Sequence, residues 1–192
     1  MGLLSHDECP EVVAAVVARP DLPLPILHEL FIHHHAGVRA GAAEHPALPH
    51  ALQAVAAMDP AVQVRLAVAN RGDLLDGMVR LLAGDAARVV RAAVLANPTT
   101  PRWIWRRGLQ DPAPGNRLVL LERPDISPGA ALALAADERL YRLPGAEELI
   151  KAALRRALQG LRPTRRRQRT GDLLDSRARV TRAATIEALT AV

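Results

Sequence analysis

Apolar residues in this chain come in short bursts at helical spacing, and prolines cut the bursts at regular distances. Segments such as VRLAVAN (64–70) and VRAAVLAN (90–97) predict helices of about two or three turns. Each such helix stops at His45-Pro46, Asn97-Pro98 or Arg123-Pro124, because the residue before a proline is pushed out of the α region. A turn of about three residues follows. A second helix then opens with another proline, at Pro23, Pro49 or Pro101. Thr100-Pro101 reads as a cap followed by proline at the first helical position. The buried stripe of the second helix pairs Ile26 with Leu30, Met78 with Leu82 and Ala130 with Leu134, all at i, i+4.

The pattern has a period of 26 residues. Asp59, Asp85, Asp111 and Asp137 keep that step, with His33 and Asp7 before them. Val12, Val38, Val64 and Val90 form a second column, and Arg39, Arg65, Arg91 and Arg117 a third. Pro20, Pro46, Pro98 and Pro124 form a fourth, with Gly72 in the gap. The aspartate is expected to start the first helix, as N-cap before a proline at Asp59-Pro60 and Asp111-Pro112. Because the Asp/Arg pairs recur in every copy, they read as a ladder joining neighbouring repeats rather than as a site.

Neither helix can bury its apolar face alone, whereas stacked copies can. The repeats run roughly 7–32, 33–58, 59–84, 85–110 and 111–136, with a degenerate sixth from 137. His33 replaces aspartate in the second copy and Asn116 replaces valine in the fifth. Gly108 stands where Leu30 or Leu82 would, a sign of close helix approach.

The run Asp-x4-Val-Arg-x4-Ala-Asn-Pro-x2-Pro-x2-Ile, from Asp85 to Ile104, resembles the leucine-rich repeat variant family. It is more distantly similar to HEAT-like helical repeats. The resemblance covers about residues 7–140, and the third copy lacks both prolines. It implies an all-α, right-handed solenoid of about six repeats, in which α-helices alternate with 3₁₀-helices. Some members of the family carry a cysteine-rich iron–sulfur segment. Cys9 is the only cysteine here, so the resemblance brings no cofactor. The family has no single biochemical activity, and a fold does not fix one.

Three regions follow. Residues 1–144 are the helical-repeat solenoid. Residues 145–161, GAEELIKAALRRALQGL, form a longer amphipathic capping helix. Ile150, Ala153, Leu154, Ala157, Leu158 and Leu161 share one side of it, and Glu147 and Lys151 make an i, i+4 pair. Residues 162–192 are an Arg-rich linker and a further helix, which could pack back, swap onto another copy or fold on a partner.

Composition narrows the function. Aromatics make up 2% of the chain, so the core is built from Ala, Val and Leu. No stretch reaches the roughly 18–20 apolar residues of a membrane span. The first residues show no secretory signal pattern and no hydroxyl at position 6 for myristoylation, so a cytoplasmic location is expected. Residues 1–150 hold 14 basic and 17 acidic side chains, whereas residues 151–192 hold 11 basic and 3 acidic ones. The positive excess is therefore C-terminal.

Arg165, Arg166, Arg167 and Arg169, joined by Arg155, Arg156 and Arg162, could grip phosphates, meet an acidic protein surface or form a solvated tail. Arg102, Trp103, Trp105, Arg106 and Arg107 are the one aromatic and basic patch in the sequence. Trp103 and Trp105 point to different faces of a helix, so one belongs to the core and the other can anchor a partner or stack on a base. His33, His34 and His35 cannot all face one ion if helical, and His28 lacks a partner at i+4. They read as a polar helix end rather than a metal site. There is no nucleophile elbow, phosphate loop or dinucleotide fingerprint. The expectation is a non-catalytic scaffold that binds a protein, needs no metal or cofactor, and has an open oligomeric state. The alternative is DNA or RNA binding through the Arg-rich C-terminal segment.

Overall fold

The computed structural model describes residues 15–159. The expected C-terminal helix, Leu161, Arg162, Arg165, Arg166, Arg167 and Arg169 lie outside the described residues. So do the first aspartate and valine of the repeat, Asp7 and Val12.

The described residues are all-α. After a short helical turn at 15–17 come α1 (Leu24–Phe31), α2 (Ala36–Glu44), α3 (His50–Ala56), α4 (Val62–Ala69), α5 (Asp76–Leu82) and α6 (Arg88–Ala96). A 3₁₀ turn, Arg102–Ile104, leads into α7 (Trp105–Leu109). Next are α8 (Pro114–Glu122), α9 (Pro128–Ala135), a 3₁₀ turn at Leu140–Arg142 and α10 (Ala146–Gln159). Even-numbered helices are the first helices of the repeats. They pack in sequence, α2 on α4, α4 on α6, α6 on α8 and α8 on α10. Odd-numbered helices form the second layer, each against its first-helix neighbours.

The core lies between these layers as one continuous cluster. Val38, Val64 and Val90 are buried in it at equal spacing. Asn116 takes the fourth place and is also buried. Its amide donates to the carbonyl of Arg88 at 2.9 Å and to Asp111 at 3.2 Å, so its polar atoms are not stranded there. Gly108 lies under its neighbours as expected. A Cβ there would sit 2.6 Å from Leu95 Cδ2 and 3.1 Å from Leu120 Cδ1.

Several local expectations are corrected. The aspartates do not cap the helices. Ala61, Ala87 and Ala113 hold the N-cap positions of α4, α6 and α8. Asp59, Asp85 and Asp111 stand two residues earlier, each accepting from the backbone N–H two residues on, at 2.7–2.8 Å. A short carboxylate closes the turn before the helix more readily than it reaches into the first helical turn. Thr100 is no cap either, since its hydroxyl donates to the Val94 carbonyl. The second helices are mostly α rather than 3₁₀, and only α7 opens on a 3₁₀ turn. The histidine run is a loop, with His35 as the N-cap of α2. His33 Nδ1 accepts from the His35 N–H at 3.0 Å, the role aspartate has in later copies. In α10 Ile150, Ala153, Leu154 and Ala157 are buried, but Leu158 faces outward. Gly145, at φ +72°, lets the chain turn into that helix. Glu147 and Lys151 pair at 2.9 Å.

Candidate partner-binding face

The charged side chains of the repeat columns serve the scaffold. Arg39, Arg65 and Arg91 each form a two-pronged ion pair with the aspartate 20 residues on, Asp59, Asp85 and Asp111. The third prong of each guanidinium donates to the carbonyl six residues back, at 2.7–2.8 Å. One arginine therefore fastens its own turn and the next repeat at once. These hydrogen bonds from Arg39 and Arg65 hold Asp59 and Asp85 below the ordinary carboxylate range against the opposing effect of burial. At Asp111 burial is the largest influence and pushes upward, but Arg91, the Ala113 N–H and Asn116 together outweigh it. The fourth rung is looser: Arg117 Nε lies 3.0 Å from Asp137 yet is not directed along a hydrogen bond.

A second ladder was missed in the sequence. Arg71, Asn97 and Arg123 stand 26 apart where each first helix ends. Each donates to two carbonyls of the previous repeat: Arg71 to Ala43 and His45, Asn97 to Ala69 and Arg71, Arg123 to Leu95 and Asn97. The first of each pair is a carbonyl of the last helical turn, which the helix itself leaves unsatisfied, and the second lies just past the helix end. The signal was a column of polar donors, hidden because its members differ in type. Arg71 and Arg123 also pair with Asp73 and Asp125. Hydrogen bonds from Arg71 bring Asp73 down to about 2. In the last repeat the column holds Leu149, and Arg156 of α10 donates to the Leu121 carbonyl instead. Arg156, expected to face a polyanion, thus closes the ladder, while Arg155 is exposed on the same helix.

The two tryptophans separate cleanly. Trp105 is 5% exposed and packs in the core. Arg123 lies over its ring at 5.0 Å and Arg102 at 5.5 Å, and its Nε1–H is buried without an acceptor. Trp103 is 38% exposed on the outer side of the second layer. Arg80 of α5, one repeat back, stacks on it with the guanidinium carbon 4.3 Å from the ring centroid. Arg80 was not singled out in the sequence, although it stands 26 residues before Arg106. Arg106 and Arg107 are exposed one helical turn beyond Trp103. Arg107 reaches back to the turn after α5, where a Cβ on Gly84 would meet its Nη2 at 2.6 Å. Arg102 approaches Asp125 at 3.7 Å.

No family model matches the chain, and no curated protein or solved structure matches it.

Elsewhere, a groove of about 560 Å³ lies beside residues 15–18 and α2, lined by Val17, Gly41 and Pro46 among others. His45 at its edge is engaged, with Nε2 2.9 Å from the Arg19 carbonyl oxygen. Among the described residues no three His, Cys, Asp or Glu side chains are grouped to hold a metal ion. Among them, too, no helix is long and apolar enough to cross a membrane.

Proposed function

We propose that this chain is a non-catalytic scaffold of leucine-rich-repeat-variant type, a right-handed solenoid that binds a protein through the outer face of its second helices, with Trp103 at the centre. The observation that carries this reading is the contrast between two sets of arginines. Those at the repeat columns are spent on aspartates and backbone carbonyls. Arg80 stacks on the exposed Trp103, Arg106 and Arg107 are exposed three and four residues beyond it, and none of the three has a carboxylate partner among the described residues. Tryptophan and arginine are the residue types that most often anchor protein interfaces.

Photo-crosslinking tests the reading. Benzoylphenylalanine is placed at position 103, or at Val89, an exposed residue of the first-helix layer. A discrete protein adduct from 103 and none from 89 is the expected result. Absence of an adduct from 103 would remove this face as the binding surface.

The charge asymmetry of the sequence favours a second reading, in which the basic segment from 151 onward grips nucleic acid. Its test is anisotropy with labelled single- and double-stranded DNA and RNA across a salt series, using the full chain and a version ending at Gly160. Steep salt dependence that disappears on truncation supports it. Absence of binding by the full chain at low salt excludes it.

A further inference from the structure

Resting on the proposed protein-binding role of this face, we infer that its ligand is an acidic, partly apolar peptide segment lying across α5, α7 and α9. Charge complementarity is the first argument. Arg80 stacks on the indole, Arg106 and Arg107 are exposed three and four residues beyond it, and none of the three has a carboxylate partner among the described residues; Asp76, on the helix of Arg80, is the one acidic residue of α5. Such a cluster repels itself, and a partner's carboxylates relieve that repulsion while Arg106 and Arg107 offer forked donors to them.

The apolar element comes from the same columns. Leu81 stands one repeat before Arg107 and is 47% exposed. Leu132 stands one repeat after Arg106 and is 46% exposed. Gly77 and Gly129 flank Trp103 at the equivalent position of the adjoining repeats, and a Cβ on either would meet no atom within 4 Å. The strip is therefore low on both sides of the indole. Neighbouring helices lie about 8–10 Å apart. Three of them span about 20 Å, the reach of roughly six extended residues.

Two other occupants fit less well. A nucleobase stacks on a bare ring face, but Arg80 already covers a face of Trp103 at 4.3 Å. The chain's own C-terminal segment carries eight more basic than acidic side chains from 151 onward, the same sign of charge as the patch.

The experiment is a display selection of random peptides of about 12 residues on the full-length protein, followed by affinity measurements with synthetic copies of the enriched peptides. Binding is compared between the native chain, Trp103→Ala and the double variant Arg106→Glu/Arg107→Glu. Both variants alter exposed residues, and circular dichroism checks that they remain folded. The expected peptides are acidic with interspersed aliphatic residues. They lose roughly thirtyfold in affinity on Trp103→Ala and at least about tenfold on the double charge reversal.

Neutral apolar peptides that need Trp103 but ignore the charge reversal would overturn the acidic assignment and leave the face as a binding surface. Acidic peptides indifferent to both variants would show capture by the C-terminal arginines and overturn the assignment. No enrichment, or none sensitive to Trp103, would overturn both the assignment and the role of the face. Self-association that is lost in Trp103→Ala would replace the peptide by a second copy.

Discussion

Arg156 donates to the carbonyl of Leu121, the place that Arg123 serves at Leu95, one repeat earlier. At the last stacked layer of the described residues, α10 therefore supplies the polar contact that a column residue of the following repeat makes elsewhere. An array of stacked helices leaves its last carbonyls bare unless something outside the pattern reaches them.

Replacing Arg156 with leucine should cost about 1 kcal/mol, the net value of one such hydrogen bond. The loss should be local. Hydrogen exchange should quicken at the C-terminal end of α8 and in α10 while α2 and α4 stay protected. Uniform loss of protection along the chain would refute a capping role.

Asp85 has both carboxylate oxygens engaged by Arg65 and also closes the turn at Ala87. Asp85→Ala strands a mostly buried guanidinium and should destabilise by about 3 kcal/mol. Asp76→Ala, on an exposed residue of α5, should change stability by less than about 0.5 kcal/mol. Urea denaturation of the two variants checks the contrast, and equal effects would mean that the ladder contributes nothing special.

Gly108→Ala places a methyl against Leu95 and Leu120. Overpacking of this kind costs about 1–3 kcal/mol. A second change, Leu95→Ala, opens the space and should recover part of the loss, as a double-mutant cycle would measure. Full additivity of the two changes would show that the contact is not the cause.

The ladder aspartates are held below their ordinary range, and Asp73 lies near 2. An unfolded carboxyl titrates at about 3.9. The stability these pairs supply is complete well above that value and is lost as the pH falls through the folded pKa. The thermal midpoint should be level from about pH 7 to pH 5 and drop between about pH 4 and pH 2. A midpoint unchanged at pH 3 would contradict the assignment of these carboxylates as ionised.

The sequence by itself determined the 26-residue period, the alternation of short helices, the longer helix after residue 145 and the recurring Asp and Arg columns, though it paired each Asp with the Arg six residues on rather than each Arg with the Asp 20 residues on. These rest on spacing, and spacing is a property of the chain. It placed the aspartates two residues too far into the helices, because N-cap and preceding turn draw on the same residue types. It could not rank Trp103 against Trp105, since two residues apart on a helix fixes only that they diverge. Tertiary packing decided that Trp105 goes under Arg123 and that Trp103 faces out beneath Arg80. It also decided which arginines are spent. Arg80 and Arg91 are the same residue type, but the next repeat brings Asp111 to Arg91 and Trp103 to Arg80. The partner of a long side chain is set by what stacks beside it, and that neighbour is 20 or more residues away along the chain.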